Sequence, residues 1–246
     1  MPVRFISDLH LSPARPDITR LFLDFLQSDG RASSALYILG DLFDAWLGDD
    51  DNSDFATSVR KGLKELTDLG VPVYFMAGNR DFLIADRFAD ETGVVLLEEG
   101  HIARLYERRA LLLHGDSLCT DDHSYQRFRR IIRAPVTRAI LTRLPLRWRM
   151  GIANKLRAGS KTQQPLTEAS ARIMDVNQSA VETALIDANV DLVIHGHTHR
   201  PAIHQLQLPN GVAAQRVVLG DWYEQGSILE VRRESLELIN QPLPSL

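Results

Sequence analysis

Five short apolar runs along the chain each lead, within two residues, into an aspartate, an asparagine or a histidine. The five junctions read Phe5-Ile6-Ser7-Asp8-Leu9-His10, Ile38-Leu39-Gly40-Asp41, Met76-Ala77-Gly78-Asn79-Arg80, Leu112-Leu113-His114 and Val193-Ile194-His195-Gly196-His197. Short apolar runs that alternate with helical stretches are typical of α/β folds, in which the carboxyl ends of parallel strands share one edge of the sheet. The sequence therefore predicts that these polar side chains meet at one edge.

The apolar runs locate the predicted strands, and apolar residues at helical spacing locate the predicted helices. We expect strands at 3–6, 35–39, 71–76, 110–113, 191–194, 215–219 and 227–231. Helices are predicted at 18–26, 55–69 and 171–188. A further helical block is expected over 125–156, with breaks at Pro135 and Pro145, because proline interrupts a helix.

The residue types at the junctions favour a hydrolytic site with divalent metal ions. Imidazoles, carboxylates and one amide oxygen suit cations such as Mn²⁺, Fe²⁺ or Zn²⁺, whereas a structural zinc site usually contains thiolates. Two ions about 3.5–4 Å apart need a ligand between them, and a carboxylate has two oxygens for this role. Asp41 is the predicted bridge. The single cysteine, Cys119, is interpreted as a packing residue and fits a reducing compartment.

Any one junction, taken alone, is explained as well by turn formation, because Asp-Gly and Gly-Asn pairs commonly follow strands. Together, and in this order, the junctions resemble the signature of the calcineurin-like metallophosphoesterases. The matching motifs are Asp8-x-His10, Gly40-Asp41-x-x-Asp44, Gly78-Asn79, His114 and Gly196-His197-x-His199. The resemblance covers nearly all of the chain outside a basic segment, and it implies a four-layer α/β/β/α sandwich with two metal ions at the strand ends.

The resemblance also implies a ligand set for two divalent ions, for which we expect Mn²⁺. One ion would be held by Asp8, His10, Asp41 and His197, and the other by Asp41, Asn79, His114 and His195. The broader family pattern can instead be aligned onto His197 and His199, so this alternative stays open. The prediction keeps His195 and His197.

Longer motifs such as Gly78-Asn79-Arg80-Asp81-Phe82 resemble the motifs of those family members that hydrolyse the diphosphate of an acylated UDP-sugar. This resemblance implies release of UMP and an acylated sugar 1-phosphate. The implied catalytic residues are Asp41, Asn79, Arg80 and His195, and the implied substrate contacts are Asn79, Arg80, Asp122, Ser160, Gln164, Thr167 and His195. Gln164 and Thr167 differ from the Asn and Lys expected in some relatives, which weakens the roles carried over to them.

Residues 123–167 contain no Asp or Glu but hold 11 of the 28 basic residues, so the other 17 face all 32 acidic ones. Apolar residues are interspersed among these basic residues. We expect the arginines of the segment to lack acidic partners. Such a segment suits anionic lipid headgroups or a lid over a lipidic diphosphate. Alternatively, it is a helical hairpin that packs on the main domain with solvated arginines. The predicted division is a catalytic domain, 1–122 and 166–246, with a helical insertion at 123–165.

A nucleic-acid partner is not expected, because few aromatic residues are placed to stack bases and the rest of the chain is acidic. The sequence opens without a basic and apolar leader and has no apolar run of about 18 residues. We therefore expect a cytoplasmic protein, and the basic segment leads us to expect that it associates peripherally with the inner membrane. Two alternatives remain: another phosphoesterase of this fold, such as a nuclease or cyclic-nucleotide phosphodiesterase, and a non-catalytic scaffold that binds partners without metal.

Overall fold

The computed structural model describes residues 1–161 and 175–243, with side chains described outside 156–161. Within these residues eleven strands form two sheets. The first sheet contains, in spatial order, β11 (Leu236–Pro242), β10 (Gln225–Val231), β1 (Val3–Ile6), β2 (Ala35–Leu39), β3 (Val73–Met76) and β4 (Val95–Leu97). The second contains β5 (His101–Leu105), β6 (Arg108–Leu112), β7 (Leu192–His195), β9 (Ala213–Val218) and β8 (Ala202–Gln207).

Helices cover the outer faces of the two sheets. The first sheet is covered by α1 (Pro16–Phe25), which continues into a π-helical turn at Leu26–Gly30, and by α2 (Asp54–Asp68) and α3 (Asp86–Thr92). The second is covered by α7 (Gln178–Ala188). Three further helices lie between β6 and β7 in the chain: α4 (His123–Ile132), α5 (Pro135–Arg143) and α6 (Leu146–Lys161).

Alternating side chains along β1 and β2 build two of the apolar layers. Phe5 and Tyr37 point into the cluster between the two sheets, whereas Ile6 and Ile38 point into the cluster beneath α1, α2 and α3. This alternation follows from the strand geometry, in which successive side chains point to opposite faces. The layers therefore run helix, sheet, sheet, helix, and the predicted four-layer α/β/β/α sandwich is confirmed.

Parallel pairing brings the predicted junctions to one edge. β1 pairs with β2, β2 with β3, and β6 with β7, all in parallel register. The loops after β1, β2 and β3 therefore leave the first sheet at one end, and the loops after β6 and β7 leave the second sheet at one end. A hydrogen bond from His114 Nδ1, after β6, to Leu39 O, at the end of β2 (2.8 Å), brings the two ends together. This is the edge at which the sequence predicts a metal site.

The predicted strands at 3–6 and 35–39 are confirmed at their full extent, and the other predicted strands differ by a few residues at their ends. The predicted helix 171–188 begins only at Gln178, because the Asn177 side chain accepts a hydrogen bond from Ala180 N (3.2 Å) and caps it; positions 171–174 lie outside the described residues. Proline breaks the block at 125–156 as predicted, and Pro135 starts α5. None of the described helices is long and apolar enough to cross a membrane.

Candidate metal centre and substrate pocket

Backbone hydrogen bonds join the loops after β1, β2 and β3. Asp8 N donates to Gly40 O (3.1 Å) and His10 N donates to Asp41 O (3.0 Å), so the first two loops run side by side. The buried Asp81 carboxylate accepts from Leu42 N and from Gly78 N, both at 2.7 Å. Three loops that are distant in sequence therefore form one unit.

Unusual backbone conformations concentrate at this edge. Seven non-glycine residues of the described chain have positive φ, and five of them are Asp8 (55°), His10 (50°), Asp41 (52°), His197 (69°) and His199 (55°). Such conformations cost free energy and persist only where the surrounding structure enforces them, most often at functional sites. The neighbouring glycines are required too, because a Cβ at Gly78 would overlap the Asp41 carboxylate.

The second sheet supplies three histidines to the same place. His114 Nδ1 donates to Leu39 O (2.8 Å), and its Nε2 lies 3.0 Å from Asn79 Oδ1. His197 N donates to Asp8 Oδ2 (2.8 Å), which joins the loop after β7 to the loop after β1. His195 is fully buried, and its Nδ1 is 2.9 Å from Gly196 O. The two sheets thus contribute to a single cluster.

Two groups of side chains are close enough to hold a metal ion each. Their ligand atoms lie within 4.8 Å of one another, and the groups are Asp8–His10–His199 and Asp8–Asp41–His114. Asp41 Oδ2 is 4.0 Å from His10 Nε2, and Asp41 Oδ1 is 3.8 Å from His114 Nε2. The two Asp41 oxygens therefore face opposite halves of the cluster, as a bridging carboxylate requires.

His199, the alternative ligand left open by the sequence, lies in the first half. Its Nε2 is 3.3 Å from Asp8 Oδ1 and 3.4 Å from His10 Nε2. Its Nδ1 is 3.2 Å from Asp221 Oδ2. A histidine that faces metal ligands with one nitrogen and a carboxylate with the other is a common arrangement at metal sites. His197 lies instead beside His114, with ring centroids 5.2 Å apart.

The donor set fits divalent cations. His195 Nε2 is buried without a hydrogen-bond partner among the described residues, although buried polar atoms almost always have one. The Nε2 atoms of His10 and His199 face each other next to two buried carboxylates, and a cation would satisfy all of these groups. Cys119 is no rival ligand, because burial raises the pKa of its thiol to about 12.

Burial and neighbouring charges shift the pKa values of these side chains in opposite directions. Burial lowers the pKa of His10, His195 and His197 to about 4 each, so these imidazoles are neutral near pH 7 and able to bind metal. Burial, with Asp81 and Asp8 nearby, raises the pKa of Asp41 to about 7 against the opposing effect of His114. For His114, the attraction of Asp41 and Asp8 outweighs burial and raises the pKa to about 9. Without cations, the raised pKa values therefore keep a proton on His114 and, in part, on Asp41 near pH 7.

A cavity of about 770 Å³ opens over this cluster. Asn79, Arg80 and Asp122, three of the residues predicted as substrate contacts, line it together with His197. Further lining comes from apolar side chains: Trp46, Phe82 and Leu83 from the main body, and Phe128, Ile132, Leu141 and Ile152 from α4, α5 and α6. One cavity therefore combines a polar end and an apolar end.

Of the other predicted substrate contacts, His195 has a described side chain. It is fully buried and is not among the side chains that line the cavity. Ser160 falls within α6, where its side chain is not described, and Gln164 and Thr167 lie outside the described residues.

The expectation that the arginines of the basic segment lack acidic partners is wrong for three of them. Arg129 and Arg133 contact the fully buried Asp116 at 2.9 and 3.1 Å, and both contact Glu99. Arg149, 2% exposed, pairs with Asp50. The acidic partners precede the segment in sequence and meet it in the folded chain, which sequence charge patterning alone does not reveal.

Comparison with known proteins supplies the family. The sequence matches the family of calcineurin-like phosphoesterases over residues 1–201. The chain belongs to this family. Curated relatives of this calcineurin-like phosphoesterase include the UDP-2,3-diacylglucosamine hydrolase of Serratia proteamaculans, 50% identical over 98% of this chain and 100% of that protein. The protein of the same name from Vibrio parahaemolyticus is 47% identical over 98% of this chain and 99% of its own length.

A solved structure described as a novel archaeal phosphodiesterase has the same fold. It superposes with a TM-score of 0.50 and is 14% identical, covering 98% of this chain and 99% of its own.

Two residues at the site of this calcineurin-like phosphoesterase are not predicted from the sequence. Asp221 contacts His199, and the Tyr223 ring lies 5.4 Å from the His10 ring. Both lie in the loop between β9 and β10, which contains no recognisable motif. The one sequence signal for these two residues is that they closely follow the predicted strand at 215–219, which places them near the end of a strand.

Proposed function

We propose that this chain hydrolyses the diphosphate of UDP-2,3-diacylglucosamine, releasing UMP and 2,3-diacylglucosamine 1-phosphate, a reaction of lipid A biosynthesis. Relatives that carry the name of this activity are 50% and 47% identical over 98% of the chain. The observation that carries the proposal is the single cavity that joins the polar cluster to the apolar side chains of α4, α5 and α6. A substrate with a diphosphate and two acyl chains needs the polar end of the cavity for its diphosphate and the apolar end for its acyl chains.

The proposed cofactor is a pair of divalent cations, for which Mn²⁺ is the first candidate. Their ligands would be Asp8, His10, Asp41 and His197 for one ion, and Asp41, Asn79, His114 and His195 for the other. Bound there, the cations would supply an acidified water and neutralise charge on the phosphates. The facing positions of His10 and His114 on either side of Asp41 support this division.

Arg80 is the proposed phosphate-binding residue. Its backbone N donates to Asp41 Oδ1 (2.8 Å), which fixes the orientation of that carboxylate, and the residue lines the cavity. A guanidinium presents a planar set of donors that matches phosphate oxygens, but it does not serve as a proton donor. This suits a diphosphate, because a phosphate leaving group departs as an anion without needing a proton.

The segment 123–165 is proposed to be an insertion that holds the acyl chains and contacts the cytoplasmic face of the inner membrane, on a catalytic domain of 1–122 and 166–246. Phe128 and Ile152 line the cavity. Trp148 and Ile140, exposed by 58% and 56%, are not among the lining residues. Exposed apolar residues among arginines favour an anionic membrane surface.

The reaction is tested by UMP release from UDP-2,3-diacylglucosamine, deacylated UDP-glucosamine and UDP-glucose, with and without a chelator. We expect metal-dependent release that is fastest with the acylated substrate. Equal rates on all three would contradict the substrate assignment, as would faster hydrolysis of DNA or cyclic nucleotides. Full activity of chelated, metal-free protein would contradict the metal site.

Two variants test the two proposed roles of the insertion separately. Ile152→Asp should raise the KM for the acylated substrate, because it places a charge in the apolar end of the cavity. Trp148→Asp should reduce binding to anionic vesicles while leaving hydrolysis of detergent-dispersed substrate near wild type. Vesicle binding is measured by co-sedimentation, and unchanged binding of Trp148→Asp would exclude this membrane contact.

A further inference from the structure

The segment 221–223 is fixed to the site by three consecutive residues. Asp221 contacts His199 (3.2 Å), and Trp222 N donates to Asp8 O (3.2 Å). The Trp222 side chain is fully buried, and Tyr223 O accepts a hydrogen bond from Arg15 Nη2 (2.9 Å). The Tyr223 side chain is therefore presented by a restrained backbone.

The Tyr223 ring forms an open aromatic surface at the polar end of the cavity. It lies over His10 with centroids 5.4 Å apart and planes 24° apart, and it is 5.9 Å from the His199 ring. Although it lines the cavity, the residue remains 45% exposed. Large rings usually bury their surface, so an exposed ring held in a fixed position beside a reaction site suggests contact with a ligand.

The other aromatic residues that line the cavity have different environments, and among them Phe82 is half-buried and packs against the apolar core beneath α1, α2 and α3. Trp46 is buried against Phe43 and donates its indole N–H to Asp49 (2.9 Å). Tyr125 donates its hydroxyl to Asp116 (2.8 Å). Phe128 is exposed by 43%, but it lies on α4 with the apolar lining residues. Tyr223 is thus the open ring next to the first half of the metal cluster.

We propose that Tyr223 is the stacking platform for the uracil base of the substrate. The inference rests on the proposed function, which places the diphosphate at Asn79 and Arg80 and the acyl chains at the apolar end. The uridine and the acylated sugar are attached to opposite ends of the diphosphate, so they diverge from it. The uridine therefore extends towards the polar end, where Tyr223 presents its ring.

Stacking on an aromatic ring has a defined consequence for selectivity. Every base has a π-face, so the contact strengthens nucleotide binding without distinguishing strongly between bases. Loss of the ring should weaken UMP binding by about 10- to 100-fold, the usual range for one stacked base. The Tyr223 hydroxyl is not needed for this contact, so Tyr223→Phe should behave like the wild type.

The test is calorimetric binding of UMP and of 2,3-diacylglucosamine 1-phosphate to the metal-loaded protein. The variants are Tyr223→Ala, Tyr223→Phe and Tyr223→Trp, with Phe128→Ala as the matched aromatic deletion at the apolar end. We expect Tyr223→Ala to weaken UMP about 10- to 100-fold and the acylated sugar phosphate less than twofold. Phe128→Ala should show the reverse pattern, and Tyr223→Phe and Tyr223→Trp should retain UMP binding.

Metal content of each variant separates a contact with the base from support of His10. The inference is overturned if Tyr223→Ala binds UMP like the wild type, weakens the acylated sugar phosphate instead, or weakens both ligands together with a loss of metal. Because UMP binding is measured without turnover, it tests the stacking role separately from the reaction. A wild-type protein that binds UMP through Tyr223 but does not hydrolyse the acylated substrate would refute only the proposed function.

Discussion

Arg80 occupies the position directly after Asn79, and its guanidinium, unlike an imidazole, does not act as a proton donor. The arginine lines the cavity and can stabilise charge on the phosphates. Arg80→Ala should lower kcat/KM for the diphosphate by about 10²–10³, the usual effect of removing one preorganised charge-stabilising donor. Steady-state kinetics on the acylated substrate measures this effect.

The substrate range of the wild type and the Arg80→His variant provide the controls. Alkyl diesters, including cyclic nucleotides, should be poor substrates of the wild type because their alkoxide leaving groups need a proton. Arg80→His should not restore the diphosphatase rate. Efficient cleavage of cyclic nucleotides by the wild type would show that this explanation of the arginine is incorrect.

His199 is a metal ligand in one of the two possible alignments of the histidine motif and not in the other. If His195 and His197 are the ligands, His199→Gln should lower metal affinity by about 10–100-fold, the usual cost of removing a supporting group. His195→Gln should then remove one ion altogether, whereas His197 is a ligand in both alignments. Metal titration of the His195→Gln and His199→Gln variants decides the matter, and the opposite ranking would assign the ligand roles to His197 and His199.

At the level of the elements, α4 is attached to the main body through a buried charge. Asp116 is fully buried and accepts from Tyr125 Oη (2.8 Å), Arg129 Nε (2.9 Å) and Arg133 Nη2 (3.1 Å). Asp116→Asn would leave the arginines without their buried counter-charge, and we expect the free energy of unfolding to fall by about 3 kcal/mol. Urea denaturation measures this change.

The matched control is the surface pair of Arg233 and Glu107, whose side chains are 65% and 73% exposed. Glu107→Gln should change the free energy of unfolding by less than about 1 kcal/mol, because exposed ion pairs contribute little. If the two variants lose equal stability, the Asp116 cluster does not anchor α4.

The strands and junctions that the sequence predicts are those with the strongest local signal. β1 and β2 are central strands buried on both faces, so β2 forms a continuous apolar run and β1 is apolar except for the buried Arg4. The same feature locates Asp8, Asp41 and His114, because each polar residue follows an apolar run at a fixed distance.

The elements missing from the prediction have weaker local signals. β8 and β11 are edge strands in which exposed and half-buried residues predominate, and in the edge strand β5 the exposed Arg104 separates the buried Ala103 and Leu105, so none of the three contains an apolar run. α3 has only 7 residues, too few for a helical stripe. Tyr223 and Asp221 reach the site through long-range contacts with His10 and His199, which no local pattern encodes.

For the molecule as a whole, the proposed metal ions join loops of both sheets and should therefore stabilise the fold. A ligand present at 100 times its dissociation constant stabilises the folded state by about 2.7 kcal/mol. For a chain of this length, about 1 kcal/mol shifts Tm by about 2–4 °C. Chelation should therefore lower Tm by about 5–10 °C, measured by differential scanning calorimetry.

Asp41→Ala provides the test of this interpretation. Since Asp41 is the proposed bridge, the variant should bind neither ion and should show no change of Tm with chelator. The exposed Asp24→Ala should respond to chelator like the wild type. A full chelator effect in Asp41→Ala would show that the stabilising ions bind elsewhere.

The pairing of β1 with β10 and the hydrogen bond from Trp222 N to Asp8 O unite parts of the chain that a ribosome makes at very different times. The first aspartate and histidine of the cluster emerge early, but His195, His197 and the segment that closes over Asp8 emerge near the end of synthesis. On the proposed ligand set, a nascent chain therefore exposes an incomplete site until His195 and His197 have been made. The complete site, with the 221–223 segment hydrogen-bonded to Asp8, can form only on a chain that is nearly finished.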